Sequence, residues 1–283
     1  MRSLPIPTDN ARSTVLLCIA HVREEFASRL RSALTEIESA ETNYKVQGEK
    51  GTLFEIVESA SVADCIDTEE MKSLYSNTFS RKNTTSRAVY DRIMAMPKYG
   101  ICPLCGHRRV STLDHYLAKT KHPMFAITPV NLVPSCKDCN FDKSTYQPSC
   151  ASEQTLHPYF DNVDDAIWLV AKVEETAPPA LVFYAAPPQV WDDIKQKRVI
   201  THFEKYHLGS LYTSHAAGEL QNIRYSLIQV ADRGGAEGVR EHLMEQATSC
   251  QFAAKNSWQS AMYEALGKSE WFCCEGYKVI APD

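Results

Sequence analysis

Apolar residues recur along the first third of the chain at intervals of three and four. Over 13–43 they fall at Val15, Ile19, Val22, Phe26, Leu30, Ala33 and Ile37, with Arg23, Glu24, Arg31, Glu36 and Glu38 on the opposite side. That period predicts one long helix with a buried stripe and a solvated face. Gly48 and Gly51 interrupt it, and the apolar stretch 53–62 fits a short helix or a strand equally well. Thr68 is the expected N-cap of a helix through Tyr75, with Glu69 and Glu70 in its first turn. Ser86 predicts another helix, carrying Val89, Tyr90 and Ile93 and stopped at Pro97. A polar, turn-rich stretch at 146–158 separates this part from the rest. Residues 166–174 (AIWLVAKVE) and 180–185 (ALVFYA) then predict two strands joined through Pro178-Pro179. Helical spacing returns at Trp191, Ile194, Ile200, Phe203 and Leu208, and again over 215–231, 238–254 and 257–266, with Gly234-Gly235 and Gly267 as breaks. The fold class is α+β, mainly helical on both flanks, with three segments expected: 1–97, 98–150 and 151–283. Residues 1–11 are Pro-rich and aperiodic and predict an extended arm.

Composition changes this picture only in the middle. The net charge of −5 excludes a polycationic nucleic-acid binder. Yet residues 98–150 hold seven Lys or Arg (Lys98, Arg108, Arg109, Lys119, Lys121, Lys137, Lys143) against three Asp. A basic island in an acidic chain suits a phosphate-facing site, and suits a solvated basic face equally well. The apolar run 15–20 is too short to span a bilayer and has no signal-peptide pattern, so no membrane association and a cytoplasmic location are expected. Ten cysteines in such a chain fit a reducing compartment.

Four of those cysteines form two C-x-x-C pairs, Cys102/Cys105 and Cys136/Cys139. Paired thiolates of this kind match the tetrahedral preference of Zn²⁺, and Gly106 suits the sharp turn after the first pair. Four cysteines leave no open coordination position, so this zinc would be structural. Its excess negative charge could be offset by Lys98, Arg108 or Lys137.

Between the pairs lie Asp114-His115 and Asn131, and Asn140 directly follows the second pair. Residues 108–117 (RRVSTLDHYL) predict a strand ending near Asp114-His115, residues 131–136 a second extended segment, and a helix beginning at the second pair would place Asn140 and Lys143 on one face. The text LDHYLAK, NLVPSCKDCN and Lys143 resembles the HNH endonuclease family, in its zinc-stapled variant with Asn in place of the final His. The resemblance covers about residues 98–147, and a trailing His157-Pro158-Tyr159-Phe160-Asp161 is similar to a bacterial subgroup with a helical N-terminal region. Many members have Pro three residues after the His, where this chain has Ala118; Pro there would only stiffen the strand exit.

The resemblance implies a ββα-metal core and metal-dependent hydrolysis of DNA, in anti-phage defence or a mobile element, with an ATPase-like or other defence protein as partner. It implies His115 as general base, Asp114 and Asn140 as ligands of Mg²⁺ or Mn²⁺, and Asn131 as the residue that fixes the loop and orients His115. Lys143, Lys119 and Arg109 would meet phosphates. Plainer readings stand beside these: His115 as a core histidine, Asn131 as a turn residue, Asn140 as a helix cap, Lys143 as a solvated lysine. The alternative function is a zinc-containing module that binds nucleic acid or a protein without catalysis.

Overall fold

The computed structural model describes residues 1–281. The chain divides once, into the compact units Met1–Asn162 and Val163–Asp283. The boundaries at 97/98 and 150/151 read from the sequence both lie inside the first unit. The physical reason is a shared core: Leu113, Ala126, Ile127 and Leu132 pack in the same buried cluster as Val15, Leu30, Ile37, Met71, Phe79 and Ile93.

The first unit opens with α1 (Ala11–Ile19), α2 (Glu24–Ser32) and α3 (Leu34–Lys50). The single helix expected over 13–43 is thus three. A straight helix of that length would run about 45 Å, whereas the two bends let Val15, Cys18, Leu30 and Ile37 wrap one core. Asn10 caps α1, its side-chain oxygen accepting from the Ser13 N–H at 2.8 Å. Gly48 lies inside α3, and Gly51, at φ 71°, ends it. A short antiparallel pair follows, β1 (Ser61–Val62) and β2 (Ile66–Asp67). Next comes α4 (Thr68–Leu74), capped by Asp67 in a reciprocal box with Glu70, so Thr68 is the first helical residue and not the cap. A π-helical turn, Tyr75–Phe79, continues it before α5 (Arg87–Ala95). The centre is an antiparallel pair, β3 (Thr112–His115) and β4 (Leu132–Ser135), in register Thr112↔Ser135 to His115↔Leu132. The helix α6 (Lys137–Lys143) leaves directly from β4.

The second unit holds the expected hairpin, β5 (Leu169–Glu174) with β6 (Ala180–Ala185). Its helices are α7 (Asp193–Lys205), α8 (Leu208–Ala253), α9 (Trp258–Lys268) and α10 (Glu270–Cys274). The Gly234-Gly235 break appears as a kink within α8, where Gly235 takes φ 61°. Gly267 does not stop α9; it lies within it because a side chain there would meet Met244. Among the described residues no helix is long and apolar enough to cross a membrane.

Candidate functional site

The β3–β4 pair carries a polar cluster at each end. At the Thr112↔Ser135 end sit Cys102, Cys105, Cys136 and Cys139, all buried and unbridged, with every Sγ within 4.8 Å of the others. Tetrahedral zinc with ~2.3 Å bonds to sulfur needs sulfurs ~3.8 Å apart, so the four can hold a metal ion such as zinc. Both knuckles also show the backbone bonds such a site uses. The Arg108 N–H points at Cys105 Sγ and the Cys139 N–H at Cys136 Sγ, each at 3.4 Å. Gly106 supplies the turn at φ 64°. The hydrogen bond between Cys102 and Cys105 pushes the Cys105 thiol down and the Cys102 thiol up. Arg108 feels the charge of Cys105, Cys136 and Cys139 and pairs with Asp138 at 2.8 Å. Cys136 is also the N-cap of α6, so the cluster sets where that helix begins.

At the other end sit Asp114 and His115, 4% and 7% exposed. His115 Nε2 lies 2.8 Å from the Ala126 carbonyl. A carbonyl only accepts, so Nε2 carries the proton and Nδ1 keeps its lone pair. Burial first, and the nearby Lys119 charge second, push the imidazole down to about 3, which keeps it neutral near pH 7. Tyr75 packs its ring edge-on to His115 with centroids 4.5 Å apart. Burial drives the Asp114 carboxyl above the usual carboxylate range, outweighing the pull of Lys143.

Asn131 is fully buried and uses both ends of its amide. Its Oδ1 accepts from the Leu117 N–H (2.7 Å) and the Tyr44 hydroxyl (3.0 Å); its Nδ2 donates to the Leu117 and Phe125 carbonyls. Its own carbonyl accepts from the Tyr116 N–H, one residue after His115. Asn131 thus ties the 116–131 loop to the strand end. The trailing HPYFD stretch closes around it. His157 Nε2 lies 3.2 Å from the Tyr44 hydroxyl, and the Tyr159 hydroxyl donates to the Leu132 carbonyl. Gly48 of α3 is required here, because a side-chain carbon would collide with the Phe160 ring.

Lys143 departs most from expectation. It is 3% exposed, 3.3 Å from Asp114, and its Nζ donates to the His115 carbonyl at 2.6 Å. Those two partners take up its ammonium, and at the α6–β3 contact it serves as the counter-ion of Asp114. Asn140, one turn earlier on the same face of α6, is half-buried and makes no side-chain hydrogen bond among the described residues. Arg109 is exposed beside the first knuckle, bridged through its backbone to Ile101, and the structure does not bring it to His115. Lys119 is half-buried over the Tyr75 ring. Tyr44 and Tyr75 escape motif reading. One signal points to Tyr44: it continues the apolar stripe of α3, and a buried hydroxyl needs a partner.

No family model and no solved structure matches the chain. Protein ea31 of Escherichia phage lambda is similar to it, at 25% identity over 299 residues that span 96% of this chain and 99% of that protein.

Proposed function

We propose that the chain is a metal-dependent endonuclease of the HNH type that hydrolyses DNA. The observation that carries this reading is His115. It is a neutral imidazole whose Nε2 is tied to a backbone carbonyl, leaving Nδ1 to accept a proton, beside a buried aspartate and next to a loop pinned by Asn131. In this reading Nδ1 of His115 takes a proton from water as the water oxygen attacks phosphorus. The phosphorus–O3′ bond breaks, and the departing oxygen is protonated from solvent, giving 5′-phosphate and 3′-hydroxyl ends.

A hard divalent cation, Mg²⁺ or Mn²⁺, takes oxygen donors, and the Asp114 carboxylate with the Asn140 amide is such a set. When bound it would supply charge neutralisation at the scissile phosphate and the leaving oxygen. Lys143 limits the fit, since its ammonium already stands at Asp114. That ion pair is the one observation favouring the alternative, a zinc module that binds nucleic acid without cutting it. The full-length phage relative leans the biological setting toward a mobile element more than toward host defence.

A plasmid-nicking assay tests the reading, with wild type and His115→Ala side by side in Mg²⁺, Mn²⁺ and EDTA. Nicking by wild type alone, abolished by EDTA, is the expected result. An active His115→Ala protein removes the general base, and binding without nicking in any metal selects the alternative.

A further inference from the structure

The 116–131 loop carries a cation that makes no ion pair among the described residues. Lys119 Nζ lies 4.7 Å above the centre of the Tyr75 ring. Asp114 attracts it but is already paired with Lys143, and the nearby Lys72 adds a like charge and is itself paired with Glu69. Holding an ammonium half-buried against a second cation is unfavourable unless an anion completes the site. The ring face supplies part of the compensation, since the negative quadrupole of an aromatic attracts a cation. That same ring meets His115 edge-on at 4.5 Å. Tyr75 is held in turn by the π-helical turn after α4 and by its hydroxyl, which donates to the Leu113 carbonyl at 3.5 Å. One buried ring therefore sets both the imidazole and the ammonium beside it.

We propose that Tyr75 is a positioning residue that holds the Lys119 ammonium beside His115 to receive a non-bridging oxygen of the scissile phosphodiester. The proposal rests on the nuclease reading and extends it to a residue of the N-terminal helical region. Lys119 touches substrate; Tyr75 acts through Lys119 and through the packing of His115. A lysine in this place lowers the charge that develops on the phosphoryl oxygens during attack, so its effect falls on turnover more than on substrate affinity.

The test replaces Tyr75 with phenylalanine and with successively fluorinated phenylalanines, which keep the ring's shape and drain its negative face. Cleavage of a short duplex is followed as kcat and KM, with zinc content as the check of folding. Tyr75→Phe, which keeps the ring and loses the hydroxyl bond to Leu113, is the reference against which the series is read. The fluorinated series should lose kcat progressively, roughly two- to thirtyfold across it, with KM little changed. In a Lys119→Met background, itself slower than wild type, the series should be flat, because the cation that feels the ring is gone. A series that is flat with Lys119 present overturns the proposal and leaves the nuclease reading intact. Duplex binding in EDTA supplies a second arm: Lys119→Met should lower the salt slope by about one counterion relative to wild type, and an unchanged slope also overturns it. A wild type that neither cleaves nor binds the duplex overturns both readings.

Discussion

The two ends of the β3–β4 pair are built by different means. The cysteine end is local: two short knuckles, a glycine turn and a helix start bring four sulfurs together within one stretch of chain. The histidine end is assembled from afar. Tyr44 of α3 bonds Asn131 across 87 residues, and the Tyr75 hydroxyl reaches Leu113 across 38. One end can hold a metal ion and would draw free energy from it; the other depends on the helical region being folded against it. Damage to the first should therefore remove structure, and damage to the second should remove alignment.

Breaking the cysteine end should give the largest effect. Cys136→Ser, or stripping the protein with a chelator, forfeits metal-binding free energy on the order of 10 kcal/mol. The expected outcome is loss of about one zinc per chain and of cooperative unfolding in the first unit, read by metal analysis and calorimetry. A folded, zinc-free Cys136→Ser protein would erase the contrast between the two ends.

Lys143→Met comes next. It leaves Asp114 buried without its counter-ion, which costs about 3–5 kcal/mol. Adding Asp114→Asn should recover much of that loss in a denaturant titration, because the uncompensated charge is then gone. Lys143→Met that is as stable as wild type would mean that Asp114 is already protonated, the direction in which burial pushes it.

Tyr44→Phe is smaller and sharper. It removes the hydroxyl between Asn131 and His157 and should cost about 1–2 kcal/mol. Zinc content should stay unchanged while nicking falls, which separates alignment from folding. Arg108→Gln should matter least, below about 1 kcal/mol, because its partner Asp138 is mostly exposed. Raising the salt should shrink even that difference.

The same contrast explains what could be read from the chain in advance. Cysteine spacing declares its geometry within a few residues, and so does the hairpin around Pro178-Pro179, whose strands lie close to where alternation puts them. The division of 13–43 into three helices was not legible, because the three-and-four spacing runs on across the turn after Ala20 and the joint at Ala33. Lys143 could be placed on the right face of α6 but not at the right depth. Helical spacing gives direction, whereas depth depends on the carboxylate waiting at Asp114. The segment boundaries at 97 and 150 followed the helix stop at Pro97 and the turn-rich stretch from 146. The core ignores both and joins Leu113 and Leu132 to the N-terminal helices. Tyr75 carried no warning, since a tyrosine at the end of a short helix looks the same whether it faces solvent or a histidine.

The single division of the chain after Asn162 carries a consequence for how such a protein can change over time. Every residue of both polar clusters, and every bond described around them, lies on the N-terminal side of it. A recombination event that exchanged the second unit would hand the same chemistry a new attachment while leaving each of those bonds in place. Descendants of one ancestral chain could thus differ in their C-terminal halves and still share a superimposable hairpin, helix and pair of knuckles.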